Sequence, residues 1–199
     1  MGTIFNLCGL LCFIAVLGYR STDSNLLSDN YQITNHQIFN NQQTIISHQN
    51  AKSTKQLLAI AKTQIGVRES TGNNDGKEVE KYLAYTGSKK GEPWCAAFVS
   101  WVFGQAGFKQ PRTAWSPSLF PKSKLLAAPK PAVVFGIYFP EKGRIAHVGL
   151  VEQQAANWIY TIEGNTNLAG SREGDGVYRK LRHIRTIHSY ASWQTKKGG

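Results

Sequence analysis

Residues 93–106 read PWCAAFVSWVFGQA, and this stretch decides how the rest of the chain is interpreted. It is apolar on nearly every side, and Gly107 follows it as a common type of helix end. A helix that is apolar all round is buried, because a surface helix keeps one polar face. Pro93 suits the opening of a helix, since its missing N–H would have no partner there. The stretch therefore predicts a core helix with Cys95 in its first turn.

The sequence has helical patterns before this buried helix and strand patterns after it. Ser53 is a plausible N-cap for a first helix whose apolar residues end at Ile65, and a second short helix is predicted over residues 77–85. Four runs rich in β-branched and aromatic residues follow, at 132–139, 146–151, 158–163 and 177–184. Helices followed by strands predict an α+β fold, with the helices packed on an antiparallel β-sheet.

The first 53 residues are expected to lie outside the folded domain. Residues 4–19 are almost wholly apolar but fall short of the ~20 residues that a membrane-spanning helix needs. A signal peptide is therefore favoured for residues 1–19, with an uncleaved membrane anchor as the alternative. Residues 20–53 are rich in Asn, Gln, Ser and Thr without periodicity, which predicts a flexible linker. The predicted folded domain is 54–199.

The positive charge lies entirely in the predicted domain. The chain has a net charge of +11, while residues 1–53 contain two cations and two anions that cancel. A basic surface favours polyanionic partners such as nucleic acid, anionic lipid or an anionic cell wall, and it also serves solubility alone. No helix-turn-helix, zinc-finger or single-strand-binding motif is found in the sequence, so nucleic acid is not expected as the partner.

Cys95 is the single thiol of the predicted domain, because Cys8 and Cys12 lie in the apolar N-terminal run. A lone cysteine is either a small buried hydrophobic residue or a reactive group. Its place in the first turn of a helix favours reactivity, since the helix dipole and the free amides there stabilise a thiolate. The same amides can donate to an oxyanion that forms beside the sulfur.

A thiol nucleophile needs a base, and His147 is the best placed of the five histidines. It opens the run His-Val-Gly-Leu-Val at the end of a predicted strand, where the sheet can hold the ring while it faces a groove. Alone, such a histidine is as well explained by a structural role. The others lie in the predicted linker or near the chain end, namely His36, His48, His183 and His188.

A hairpin centred on Ala155 pairs His147 with Glu163 across two antiparallel strands. Directly opposed side chains lie ~5 Å apart at Cβ, so the carboxylate can accept the imidazole N–H and fix its tautomer. Asn165 lies two residues further and shares this face if the strand continues. A register shift of one residue would undo the pairing. Glu163 is otherwise an exposed strand carboxylate and Asn165 a turn residue.

These motifs, PWCAAFVSW at 93–101, His-Val-Gly at 147–149 and Glu-Gly-Asn at 163–165, resemble those of the CHAP family of cysteine, histidine-dependent amidohydrolases and peptidases. The resemblance runs from about residue 54 to about 185. It implies a papain-like fold with the nucleophile at the N-terminus of the buried helix. It also implies hydrolysis of amide bonds in peptidoglycan, either between sugar and stem peptide or within the peptides.

Carried over to this sequence, the resemblance makes Cys95 the nucleophile, His147 the base and Glu163 the group that orients the base, with Asn165 assisting. The Cys95 backbone N–H would supply one oxyanion donor. Some family members bind calcium in a loop before the cysteine, and residues 73–76 (NNDG) are a weak match to such a loop that is explained more simply as a turn. No metal or organic cofactor is expected.

The resemblance also implies where the protein acts and on what. The expected partners are a peptidoglycan peptide or amide as substrate and the anionic wall surface, with membrane anchoring through the N-terminus left open. We expect a monomer in bacteria, secreted, periplasmic or associated with the cell envelope. Two alternatives remain: a non-catalytic wall-binding module with a silent thiol, and a papain-like hydrolase of an amide outside the wall.

Overall fold

The computed structural model describes residues 23–169 and 173–194, with side chains from residue 37 onward. In this part of the chain three α-helices come first, α1 (Asp23–Thr63), α2 (Lys77–Thr86) and α3 (Cys95–Gln105). The strands follow as β1 (Leu125–Leu126), β2 (Val134–Phe139), β3 (Arg144–Ala155), β4 (Trp158–Thr166), β5 (Gly176–His183) and β6 (Ser189–Ala191). The predicted order of helices and then strands is confirmed.

The strands form one antiparallel sheet in the order β1-β6-β2-β3-β4-β5. Its four longest strands are the four that the sequence pattern predicts. Strands β1 and β6 were not predicted, because runs of two and three residues are too short to show an alternating pattern. The prediction of helices combined with an antiparallel sheet is therefore confirmed.

Helix α3 is buried against the sheet, as its all-apolar sequence predicts. It packs against β3 and β4 on one side and against α2 on another. Alternate strand residues join the same core as the helix, among them Val148, Leu150 and Ile162. A second, smaller core on the other strand positions contains Phe135, Val151 and Ile159. The sheet therefore has apolar residues on both faces, and α3 covers one of them.

Helix α1 (Asp23–Thr63) covers most of the segment, residues 20–53, that the sequence predicts to be a linker. The helix runs continuously from Asp23, and the side chains of residues 37–52 are exposed. No glycine or proline occurs from residue 23 to residue 63, so nothing in the sequence breaks the helix that was predicted to begin near Ser53. Low apolar content correctly excluded burial, but it did not exclude a solvated helix.

The chain divides between Thr44 and Ile45 into two compact units. Among the residues that the structure describes, no helix combines the length and the apolar character needed to cross a bilayer. The predicted signal peptide or anchor at residues 1–19 lies outside the described residues. The division into leader, linker and domain at residues 19 and 53 stays a prediction.

Candidate active site

Cys95 is the first residue of α3, and Trp94 is its N-cap. The first intrahelical bond runs from Phe98 N to the Trp94 carbonyl at 2.8 Å. The Trp94 side chain cannot cap the helix, because its indole has no hydrogen-bond acceptor, and its Nε1 donates to Glu69 Oε1 at 2.8 Å. Helix geometry leaves the first N–H groups without helical partners. The sulfur of Cys95 therefore stands beside backbone donors at the positive end of a helix dipole.

The His147 ring and the Glu163 carboxylate form a direct hydrogen bond, with His147 Nε2 2.8 Å from Glu163 Oε2. Glu163 is fully buried, and the His147 side chain is 12% exposed. The contact between these two side chains, predicted from the hairpin, is confirmed. Because Nε2 faces the carboxylate, Nδ1 is the ring nitrogen left for the Cys95 thiol.

The register that led to this prediction was wrong by two residues. Leu150 pairs with Ile162, and Gln153 pairs with Tyr160, so the hairpin turns later than Ala155 and contains a β-bulge at Glu152. Side chains alternate between faces with a period of two, so a shift of two keeps His147 and Glu163 on the same face. A shift of one would have separated them. The bulge could not be foreseen from the sequence pattern.

Glu163 has partners on three strands. His147 on β3 contacts Oε2, Thr161 Oγ1 on β4 donates to Oε1 at 2.6 Å, and Arg182 on β5 contacts both oxygens. Arg182 Nε donates to Oε1 at 2.8 Å, and Arg182 Nη2 donates to Oε2 at 2.6 Å. A buried carboxylate without such partners would be strongly destabilising. Each of the two Glu163 carboxylate oxygens thus accepts two hydrogen bonds.

The sequence reasoning missed both Thr161 and Arg182. Residue 182 lies within the strand predicted at 177–184, but no role at the site was predicted for it. The β4–β5 connection is long and carries no hairpin signature, so the pairing of β5 could not be derived. The predicted strand contains two arginines, Arg179 and Arg182, and nothing in the local sequence indicates which of them contacts Glu163.

The Cys95 sulfur has two further neighbours that the sequence did not indicate. Sγ lies 3.6 Å from Ser116 Oγ and 4.0 Å from the Ala146 carbonyl oxygen. Ala146 is the extra residue of a second β-bulge, because Ile137 pairs with His147 whereas Tyr138 pairs with Ile145. Bulges interrupt side-chain alternation and redirect the neighbouring side chain. Here the bulge directly precedes His147 and contacts the thiol.

The electrostatics of the site favour a thiolate and an imidazolium. Burial raises the pKa of Cys95, but the hydrogen bond and the charge of His147 outweigh burial and bring the pKa below its ordinary value. Burial lowers the pKa of His147, whereas hydrogen bonds to Cys95 and Glu163 raise it, to about 9 overall. Burial raises the pKa of Glu163, and Arg182 and His147 together hold it well below the usual range. The carboxylate therefore stays ionised beside the ring.

Two glycines leave the space that the carboxylate and the strand need. A Cβ at Gly149 would lie 2.9 Å from Glu163 Cγ and 2.8 Å from the Phe135 ring. A Cβ at Gly164 would lie 2.6 Å from the Trp94 ring and 2.8 Å from Phe98. Contacts this short require the neighbours to move. Gly149 thus leaves room for the Glu163 side chain, and Gly164 allows β4 to approach α3.

A cavity of about 310 Å³ opens beside His147, at the ends of β2, β4 and β5. Asn165, which has a left-handed φ of 52°, lines this cavity together with His147. The structure therefore brings Asn165 to the site, while its assisting role stays a prediction. The lining residues are Ile137, Tyr138, Phe139, Pro140, Glu141, His147, Asn165, Thr166, Lys180 and Arg182.

The carboxylate in the turn at residues 73–76, that of Asp75, forms hydrogen bonds with a nearby residue. Asp75 is buried and accepts hydrogen bonds from Thr71 N at 2.9 Å and from Thr71 Oγ1 at 3.0 Å. Within residues 23–169 and 173–194, no cluster of three or more His, Cys, Asp or Glu side chains could hold a metal ion. The turn interpretation of this segment agrees with these hydrogen bonds.

Comparison with known proteins gave one structural likeness. No family model matches the sequence, and no curated protein matches it. Among solved structures, the chain is similar to the NlpC/p60 domain of the peptidoglycan hydrolase SagA, with 15% sequence identity and a TM-score of 0.43. The likeness covers 70% of this chain and 97% of that one. That protein is an NlpC/p60 domain, and the resemblance of this chain to the CHAP family stays a prediction.

Proposed function

We propose that this protein is a cysteine hydrolase of amide bonds in peptidoglycan, acting as an amidase or an endopeptidase through an acyl-enzyme. The single observation that carries the proposal is the buried Glu163–His147 hydrogen bond of 2.8 Å beside a cysteine at a helix start. A nucleophile, a base and a group that orients the base are the parts that thiol hydrolysis requires. A silent thiol would need none of them.

The first half of the proposed reaction forms the acyl-enzyme. The Cys95 sulfur attacks the amide carbonyl carbon, and a tetrahedral intermediate forms with its negative charge on oxygen. The free N–H groups at the start of α3 donate to this oxyanion. His147 gives its proton to the leaving nitrogen, the carbon–nitrogen bond breaks, and the amine departs.

The second half releases the acid product. A water molecule loses a proton to the now neutral His147 and attacks the thioester carbonyl. The intermediate collapses, the carbon–sulfur bond breaks, and the thiolate returns beside the imidazolium. Glu163 accepts the Nε2 proton in its hydrogen bond throughout, so the ring keeps one orientation in both halves.

Two features support peptidoglycan as the substrate. The three motifs resemble those of the CHAP family, in which wall peptides are the substrates. The +11 net charge of the chain suits a surface that carries peptide carboxylates or other anions. The predicted N-terminal signal peptide agrees with a location at the cell envelope. The proposed function requires a bacterial protein that can reach the wall.

Isolated peptidoglycan incubated with the full-length protein tests the proposal. The wild type should release soluble fragments, and mass spectrometry together with labelling of new amine groups should identify the cleaved bond. Cys95→Ser should release none, because a serine hydroxyl is far less acidic than a thiol and would stay protonated beside His147. Glu152→Gln, at a carboxylate that binds Arg179 and Lys62, is the control and should retain the activity.

The alternatives give different results in the same experiment. If Cys95→Ala digests the wall as fast as the wild type, the hydrolase proposal is wrong. If no variant digests the wall but all variants sediment with it, the chain is a wall-binding module. If the wall stays intact while wild type but not Cys95→Ser hydrolyses a simple peptide amide, the substrate lies outside the wall.

A further inference from the structure

We infer that Arg182 is a positioning residue of the thiol site, which keeps Glu163 ionised and oriented so that Glu163 can hold His147 throughout the reaction. This inference extends the proposed function, and it assumes the order of reaction steps proposed above. It begins from the two hydrogen bonds that Arg182 makes to Glu163, Nε to Oε1 at 2.8 Å and Nη2 to Oε2 at 2.6 Å.

The geometry of this pair fixes the carboxylate plane. Two parallel N–H donors from a planar guanidinium hold both oxygens at once, which a single ammonium group cannot do. Thr161 Oγ1 donates to the same Oε1 at 2.6 Å. Oε2 is thereby left with one free direction, and His147 Nε2 occupies it at 2.8 Å. Arg182 and Thr161 together determine where the imidazole ring must lie.

The charge of Arg182 matters because the charge of His147 changes during the reaction. His147 gives up its proton to the leaving amine and then takes one from water, so for part of each cycle the ring is neutral. A fully buried carboxylate beside a neutral ring would be uncompensated and would tend to bind a proton. Arg182 remains charged at every working pH, so Glu163 stays an acceptor in both halves of the cycle.

Among the described residues, the groups that form hydrogen bonds with Glu163 come from three strands. His147 faces it from β3, Arg182 from β5, and the Thr161 hydroxyl from β4. Lys180 on β5 contributes a weaker charge interaction, and Cys95 on α3 acts through His147. Arg182 is the one cation among the described residues that makes a hydrogen-bonded ion pair with Glu163 while carrying a permanent charge.

The chain offers a matched control for Arg182. Arg179 lies on the same strand and makes the same type of pair, with Nε 2.6 Å from Glu152 Oε2 and Nη2 3.0 Å from Glu152 Oε1. Its side chain is 49% exposed, against 24% for Arg182. Glu152 does not contact His147. Arg179→Gln therefore removes an equivalent hydrogen-bonded pair from the same strand without changing the thiol site.

The test uses the full chain as wild type, Arg182→Gln and Arg179→Gln, with two measurements. The first is the rate of iodoacetamide alkylation at the Cys95 peptide, followed by mass spectrometry from pH 4 to pH 10. Without Arg182, Glu163 tends to bind a proton, His147 loses support for its charge, and the thiolate becomes harder to form. The acid limb of Arg182→Gln should move to higher pH, with alkylation at pH 6 slower by about tenfold for each unit of change.

The second measurement is kcat and KM for wall hydrolysis. Arg182→Gln should lower kcat by about 10-fold to 100-fold, the range for partners that orient a histidine ligand, and leave KM nearly unchanged. Arg179→Gln should match the wild type in both measurements. If Arg182→Gln and Arg179→Gln give the same alkylation profile and the same kcat, the inference is wrong.

Arg182→Lys keeps the inference testable if Arg182→Gln does not fold. Lysine keeps the charge but supplies one donor where arginine supplies two. The acid limb of the alkylation profile of Arg182→Lys should then stay near that of the wild type, while its kcat falls several-fold. Equal kcat values for Arg182→Lys and Arg179→Lys would contradict the inference. If the wild type leaves peptidoglycan intact but the alkylation profile of Arg182→Gln shifts, the proposed function fails and the role of Arg182 stands.

Discussion

The sheet carries two glutamate–arginine pairs that share their chemistry and differ in their surroundings. In both pairs an arginine of β5 binds both oxygens of a glutamate, Arg182 with Glu163 and Arg179 with Glu152. Glu163 is fully buried and also binds His147, whereas Glu152 is 12% exposed and also binds Lys62 at 2.9 Å. The third partner distinguishes the pairs: an ionisable ring in one, a surface lysine in the other.

The comparison teaches that the pair geometry alone does not mark a functional site. The donor–acceptor distances of both pairs lie between 2.6 and 3.0 Å, so distance cannot separate them. Burial and the identity of the third partner can. A buried carboxylate controls the protonation of whatever group it touches, while a solvated carboxylate mainly joins two surface elements.

The largest expected difference is in stability. Glu163→Ala leaves the Arg182 guanidinium, 24% exposed, without its partner and should reduce the free energy of unfolding by about 3–5 kcal/mol. Glu152→Ala, the matched change at the surface pair, should cost only about 0.2–1 kcal/mol. Urea unfolding at pH 7 measures both. Equal losses would mean that burial does not separate the two pairs.

The pH dependence of the thiol reaction should respond to the buried pair and not to the surface pair. Activity should fall on the acid side as the Cys95 thiolate binds a proton, and on the alkaline side as His147, with its pKa raised to about 9, loses its own. Each pH unit beyond a limb should reduce the rate about tenfold. Glu152→Gln should leave both limbs in place, and a profile without an alkaline limb would contradict the imidazolium assignment.

Acid sensitivity should separate the pairs by a smaller amount. The folded state holds the pKa of Glu163 well below its unfolded value of about 4.3, so the stabilisation is complete above that value and is lost as the pH falls. Glu163→Gln should therefore lose less stability than the wild type between about pH 5 and pH 2. Glu152→Gln should follow the wild type more closely. Chemical denaturation at several pH values provides the comparison.

The smallest expected effect is a response to salt. Arg179→Ala should destabilise the protein by about 0.5 kcal/mol at low ionic strength. Its pair is half exposed and the Debye length falls to about 3 Å at 1 M salt, so this loss should nearly disappear there. The loss caused by Arg182→Ala should persist, because burial shields that pair from added ions. Thermal unfolding at two salt concentrations measures both, and a salt-sensitive Arg182 effect would place the pair in solvent.

Much of the fold was predictable because local patterns determine it. The all-apolar run at 93–106 predicted the core helix, and β-branched runs predicted the four long strands. The C-terminal part of α1, from Ser53, was predicted, but its polar N-terminal part was not predicted as a helix, although that part contains no residue that breaks one. Strands β1 and β6 were missed because pairing, and not local preference, makes such short segments into strands.

The candidate site was predictable only in part, for a related reason. Cys95 at a helix start follows from local sequence, and the His147–Glu163 contact depended only on the parity of the hairpin register. The later turn and the bulge at Glu152 together shifted the register near His147 by two residues, which preserves parity. Arg182, Thr161 and Ser116 could not be placed at the site, because long connections and bulges decide their positions and leave no trace in local periodicity.

The glycines at 149 and 164 have a consequence for any attempt to rebuild this chemistry elsewhere. Transplanting the cysteine, histidine and glutamate onto another sheet would reproduce the reactive groups without the empty volume that Gly149 leaves next to Glu163 Cγ. The recipient strand would also need the close approach to a helix that Gly164 permits beside Trp94. A designer would therefore have to copy two residues that have no side chain.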